Sequence, residues 1–248
     1  MSGTVSRRTL FRGAGALGAA AALSPTAEAA VNGAAPGTKP EPGATPPYRF
    51  FNTEEAAFIE AAVDRLIPPD ETWAGAKDAG VPTYIDLQLA GAYGQGARLY
   101  ASGPWEQGTP SQGYQLPLNP SQLYRTALEA VARELGGKRL GDLPPDQQDA
   151  FLTRLETNQV QMPFPSSYFF EALLANTIEG FLSDPVYGGN RDMVGWRMIG
   201  FPGAYAAYLN TYTNHGVRFE REPLSIADAQ RDHHTHGAMP MPGAHQHG

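Results

Sequence analysis

From Ser166 to Leu182 the sequence places Phe169, Phe170, Leu173, Leu174, Ile178 and Phe181 at helical spacing and then abruptly stops being helical. The next twenty residues, Asp184 to Gly203, hold Gly188, Gly189, Gly195, Gly200 and Gly203, the prolines Pro185 and Pro202, and the aromatics Tyr187, Trp196 and Phe201. Neither an amphipathic helix nor an ordinary strand is written that way, since both residue types weaken element interiors. A helix with so broad an apolar face has to be covered on most of its sides, which predicts the centre of a helical bundle with the glycine block attached to its end. Glycines at this density mark positive φ or close backbone approach, and the three aromatics are wide, rigid faces of the kind interfaces favour. We read the block as a shaped docking loop. Its candidate contact residues are Tyr187, Gly188, Gly189, Asn190, Asp192, Gly195, Trp196, Gly200, Phe201, Pro202 and Gly203. A second reading stays open beside it: the glycines shape an internal turn and Trp196, a residue type usually buried, belongs to the core.

Four further helices are expected. Asn52-Thr53-Glu54-Glu55 has the form of a helix start, and Phe58, Ile59, Ala62, Val63, Leu66 and Ile67 follow on one stripe until Pro68-Pro69 ends it. Pro82 can open a second helix with Tyr84, Ile85, Leu89, Ala92 and Tyr93 inward. Asn119-Pro120-Ser121-Gln122 supplies a cap, an N1 proline and a glutamine at N3, ahead of Leu123, Ala127, Leu128, Val131 and Leu135. Pro144 to about Thr157 reads as a fourth, burying Phe151, Leu152 and Leu155. Ala204 to Leu209 can begin a short further helix. No stretch alternates with the period of a strand for long enough to compete. The fold class is therefore all-α: one irregular bundle of about five to seven helices with long loops, over residues 48–230.

The two ends have different characters. Ser6-Arg7-Arg8-Thr9-Leu10-Phe11-Arg12 precedes an uncharged, mildly apolar run from Gly13 to Leu23 and the small-x-small sequence Ala27-Glu28-Ala29. Charge, core and cleavage pattern coincide, so residues 1–29 are expected to be a twin-arginine export signal carrying Arg7 and Arg8. Its apolar run is too short to span a membrane. Gly13-Ala14-Gly15-Ala16-Leu17-Gly18 matches a dinucleotide fingerprint only formally, because it follows no strand and lies inside the export signal. Residues 30–47 are rich in proline and glycine and read as an extended linker. The segment 231–248 carries His233, His234, His236, His245 and His247 with Met239 and Met241. These side chains could bind exported copper or zinc, but a solvated tail is the favoured reading.

Composition removes several functions. Cleavage after Ala29 would delete three arginines and one glutamate, taking the formal net charge from −7 to −9, so nucleic acid is an unsuitable partner. Without cysteine there is no disulfide, thiolate metal site, iron–sulfur cluster or covalently attached haem. His215 is the sole histidine ahead of the tail and no G-x-S-x-G elbow is present, which leaves a hydrolase without a nucleophile and base. The carboxylate pairs Glu171 with Glu179 and Asp184 with Asp192 carry little weight, since any acidic helical domain offers such pairs. Asp184, Asn190 and Asp192 could supply oxygens to Ca²⁺, but their spacing is not that of an EF-hand and a hydrogen-bonded turn explains them equally. No catalytic, cofactor or metal residue is therefore assigned.

The block Asp-Pro-x-Tyr-Gly-Gly-Asn-x-Asp-x-x-Gly-Trp-x-x-Ile-Gly-Phe-Pro-Gly, at 184–203, resembles the signature of the gluconate 2-dehydrogenase subunit 3 family. The likeness continues more loosely from about Phe51, through Phe58 to Pro68 and Gly80 to Asp86, towards Pro223. What the resemblance implies is a small, non-catalytic subunit of a membrane-bound sugar or sugar-acid dehydrogenase. Its implied partners are a large FAD-dependent subunit of the glucose-methanol-choline type without its own signal, and a multihaem cytochrome c subunit. FAD and haem would belong to those partners. The twin-arginine route carries folded proteins, so the chain is expected to escort its folded partner through the translocase to the periplasm. The alternative is a free-standing periplasmic metal-binding protein built on the His/Met tail.

Overall fold

Two helix starts in this chain, at Asn52 and Asn119, fall where side chains satisfy the backbone donors that a first turn leaves open. The computed structural model describes residues 48–99, 102–106, 108–109, 115–203, 213, 215–216 and 221–235, with side chains up to Arg231. Helix α1 spans Thr53–Leu66, and Asn52 accepts from the N–H groups of Glu54 and Glu55 while the Glu55 carboxylate accepts from Asn52 N–H. Helix α2 spans Val81–Ala90. Helix α3, Pro120–Glu134, repeats the reciprocal cap with Asn119 and Gln122 and places Pro120 at its first position. Each such cap stabilises its helix by about 1 kcal/mol. Helices α4 (Pro145–Glu156), α5 (Ser166–Leu182), α6 (Val194–Ile199) and α7 (Ile226–Thr235) complete the set, with short 3-10 turns at Leu140–Asp142, Pro185–Tyr187 and Arg191–Met193. The described residues contain no strand, and their one extended pairing is an isolated bridge between Gly203 and Leu224. The expected all-α bundle is the observed one.

Helix α5 is its axis, packing against α1, α2, α3, α4 and α6. Its buried face is not quite the one periodicity predicts. Phe169, Phe170, Leu173 and Phe181 are buried as expected, but Asn176, Thr177 and Gly180 occupy inward positions while Leu174 and Ile178 are only half-buried. The polar residues are tolerated because each has a partner. Asn176 accepts from the fully buried Tyr124 hydroxyl at 2.8 Å. Thr177 donates back to Leu173 C=O at 2.7 Å, and Gly180 lies against the Tyr84 ring. Around this axis an aromatic chain runs from Phe51 through Tyr124 and Phe169 to Phe58 and Phe151, two of its four contacts edge to face, with centroids 5.3 to 6.5 Å apart.

Helix α2 is shorter than expected. It ends at Ala90, which leaves Ala92 and Tyr93 exposed instead of inward. Gly94 N–H returns to Gln88 C=O at 3.0 Å and Ser121 Oγ donates to Leu89 C=O at 2.8 Å, so turn and side-chain donors take the last carbonyls. The residues expected to form the export signal and the linker, the short helix at Ala204–Leu209, and His236, His245 and His247 lie outside the described residues. Helix α7 continues past Arg231 to Thr235, so a regular backbone reaches into the segment read as tail.

One buried charge had no sequence signal. Asp86, 2% exposed, accepts the backbone N–H groups of Arg49, Phe50 and Phe51 at 2.7, 2.9 and 3.0 Å. Arg125 reinforces the same point: it pairs with Glu55, donates to Phe50 C=O at 2.9 Å and stacks on the Phe50 ring at 4.2 Å. The chain is thereby fastened just ahead of α1. Asp86→Ala leaves three donors without an acceptor, and we predict a loss of about 2 to 4 kcal/mol in urea unfolding, with faster amide exchange at Arg49 to Phe51.

Candidate functional site

The last carbonyls of an α-helix have no partner inside the helix, and those of α5 are met by the glycine block. Trp196 Nε1 donates to Leu182 C=O at 2.7 Å, Asn190 Nδ2 donates to Ser183 C=O at 2.8 Å, and Ser183 Oγ donates to Gly180 C=O at 3.1 Å. Asn190 is fully buried and its Oδ1 accepts Gly195 N–H at 2.8 Å, which ties the start of α6 to the same residue. The backbone follows so closely that a Cβ at Gly189 would stand 2.2 Å from Gly180 C=O, and one at Gly195 would stand 2.0 Å from Phe181 C=O. The approach that the glycines permit is that of the chain to itself. Arg191 then fastens the block to the loop before α2, its N–H donating to Ala79 C=O at 2.8 Å and its guanidinium to Asp78 C=O at 3.3 Å.

Holding this path requires unusual backbone. Asn190, Asp192 and Met193 take φ of 46°, 56° and 54°, a left-handed conformation that costs on the order of 1 kcal/mol per residue outside glycine. The side-chain bonds of Asn190 and the anchoring of Trp196 offset that strain. Tyr84, on the neighbouring α2, has its phenol pushed up to about 12 by burial and by the Glu179 carboxylate, so it stays neutral at physiological pH. Asp228 in the first turn of α7 is held below the usual carboxylate range by the Ser225 hydroxyl, which donates to it at 2.6 Å, and by Arg231.

The predicted contact residues divide into two groups. Gly189, Asn190, Gly195, Trp196, Pro202 and Gly203 are buried, Gly188 is half-buried, and Tyr187, Asp192, Gly200 and Phe201 are exposed. Trp196, 5% exposed, is a core residue of the block, as the internal reading had it. Its indole also supports Phe201, edge to face at 5.2 Å. Exposed apolar surface comes instead from Val186, Tyr187, Ile199, Phe201 and, from beyond the block, Ile226. Val186 and Ile199 could have been noticed as bare aliphatics inside a glycine-rich segment. Ile226 had no such signal, because only tertiary structure brings it near.

The chemistry proposed for the acidic residues is taken up by the turn itself. Asp184 Oδ1 accepts Val186 N–H at 3.0 Å and Oδ2 accepts Ile226 N–H at 2.8 Å, which makes it a fastening and not an open ligand. Asn190 is committed to Ser183 and Gly195. Among the described residues no group of three or more His, Asp or Glu side chains could hold a metal ion, and no helix is long and apolar enough to cross a membrane. Two cavities, of about 350 and 410 Å³, lie elsewhere, along α1 and α3 and beside Gln161 to Pro163. Neither brings a catalytic residue set together.

Comparison with known proteins yields one match. The model of a protein family described as Gluconate 2-dehydrogenase subunit 3 matches residues 53–203, from the first residue of α1 to the last glycine of the block. No curated protein and no solved structure matches the chain.

Two substitutions test the construction of the block. Gly195→Ala forces a methyl into the Phe181 carbonyl and should lower stability by about 2 kcal/mol or more. Trp196→Phe keeps most of the apolar volume but strands Leu182 C=O, and should cost about 1 to 2 kcal/mol. Denaturant unfolding followed by far-UV circular dichroism checks both.

Proposed function

Because that match covers more than half of its length, the chain belongs to the gluconate 2-dehydrogenase subunit 3 family, and from this membership we propose what it contributes. Membership makes it a subunit of a multi-subunit dehydrogenase complex. Its contribution, in our reading, is adhesion and escort, without chemistry of its own. The partner that binds substrate is a large FAD-dependent subunit of the glucose-methanol-choline type. Electrons leave through a cytochrome c subunit, and both FAD and haem belong to those subunits. Its substrates would be gluconate or related sugars and polyols.

The observation that carries this reading is the use made of the glycine block, which closes the matched span 53–203. Its buried polar side chains are spent on the chain's own backbone, with Asp184, Asn190 and Trp196 each bonded to carbonyls or N–H groups. Beside the charged Arg191, Asp192 and Arg197, it offers outward Val186, Tyr187, Ile199 and Phe201, which suits contact. The export half of the proposal rests on Arg7 and Arg8 with the apolar run behind them. A folded, flavin-loaded subunit without a signal of its own reaches the periplasm only if a partner carries it, and this chain supplies both the signal and a surface.

Arg7→Lys together with Arg8→Lys should leave this chain and the flavin-bearing subunit in the cytoplasm, with substrate-dependent dye reduction in the periplasmic fraction falling to background. Continued export of the dehydrogenase beside the double variant would refute the escort.

A further inference from the structure

Residues 1–47, which carry the expected export signal and linker, lead into the described body at Tyr48. Helix α1 does not start until Thr53 and its cap is Asn52, so Tyr48-Arg49-Phe50-Phe51 have no helix of their own to satisfy or bury them. They are closed down by contacts from far along the chain. Asp86 on α2 accepts the N–H groups of Arg49, Phe50 and Phe51 across 35 to 37 residues of sequence. Arg125 on α3 donates to Phe50 C=O across 75 residues and lies over the Phe50 ring. Phe51, 6% exposed, packs on Phe50 and on Tyr124 of α3 with centroids 5.2 and 6.5 Å away, and the Tyr48 hydroxyl donates to Glu60 at 2.9 Å. The joint therefore closes only when α2 and α3 have docked beside α1, since a chain segment that is not tied down opens locally.

We infer that this joint is a folding-dependent latch on export, closed by Asp86 and Arg125, which makes release of the chain to the translocase contingent on an assembled bundle. The inference rests on the export role proposed above and adds its control. Closed, the joint ends the linker on a folded surface. Open, it adds Tyr48, Phe50 and Phe51 to a linker that has no aromatic residue over 30–47, so a route that carries folded proteins meets an unfolded aromatic stretch directly behind the signal. Because the fastening groups come from α2 and α3, the latch reports assembly of the bundle and not the formation of α1, which carries its own local cap. The same joint guards the covalent link. Between Arg12 and Arg65 the basic residues are Lys39, which precedes Pro40, and Arg49, so Arg49–Phe50 is the bond at which a trypsin-like protease would part the export arm from the body. The Arg49 side chain is exposed, but the three successive N–H groups held by Asp86 keep this backbone from opening into a protease.

The test treats the native full chain with trypsin, follows the cut at Arg49 by mass spectrometry, and measures the exported fraction of the same variants in cells. Asp86→Asn and Arg125→Met each open the latch, and either one carries the test if the other does not fold. Leu155→Ala, in the core at α4, lowers stability without touching the joint, and thermal melts establish that it is no more stable than the latch variants. The proposal expects cutting at Arg49 to speed about tenfold or more in the latch variants at unchanged far-UV circular dichroism. It expects their exported fraction to fall several-fold, while Leu155→Ala keeps wild-type protection and export. Cutting no faster in the latch variants than in Leu155→Ala overturns it, as does an equal loss of export in Leu155→Ala, which would make export a readout of overall stability. Opened latch variants exported as well as an exported wild type overturn this inference alone. A wild-type chain that stays in the cytoplasm with Arg49 protected overturns the proposed function and this inference together.

Discussion

The carbonyls at the end of α5, unpaired within the helix, are the constraint on which the rest of this structure turns. A helix that runs through the middle of the bundle must end inside it, and its final C=O groups then need donors that water cannot supply. Here an indole N–H, a side-chain amide and a serine hydroxyl provide them. To bring Trp196 and Asn190 within reach, the chain has to pass almost in contact with the helix end, which only residues lacking a Cβ allow at 189 and 195. The glycines, the asparagine and the tryptophan of the block are thus parts of one cap.

That division of labour bears on function. The residues that make the block recognisable are mostly the ones that build it, and the residues it presents to solvent are less distinctive aliphatic, aromatic and charged side chains. The adhesive role proposed for this subunit needs a face whose shape survives in the absence of its partner. Strained left-handed residues at 190, 192 and 193, fixed by buried hydrogen bonds, provide such a face at a cost to stability.

Buried carboxylates fasten the irregular segments in the same manner. Asp86 gathers the three N–H groups ahead of α1, and Asp184 gathers one from the block and one from the start of α7. Both side chains satisfy backbone that no helix satisfies, and Asp86 would read as an ordinary acidic residue in an acidic chain. In this way segments far apart in sequence become neighbours without any sheet to join them.

Helix positions were largely legible from the chain itself because caps and periodicity are local: Asn52 with Glu55, Asn119 with Gln122, and the stripe of α4 depend on residues within a turn or two. The glycine block was equally legible as a place of close approach, and so was the central role of α5. Which face of α5 turns inward was not, because Asn176 becomes a core residue only when the Tyr124 hydroxyl arrives from another helix. Nor could sequence choose between Trp196 as contact and Trp196 as core, since burial is a property of the assembled neighbours and not of the residue. What the order of residues determined is where backbone must bend or continue. What only the tertiary structure decided is which side chains satisfy the bends and which remain outside, because hydrogen-bond partners and solvent exposure are set by distances between segments that local spacing does not encode.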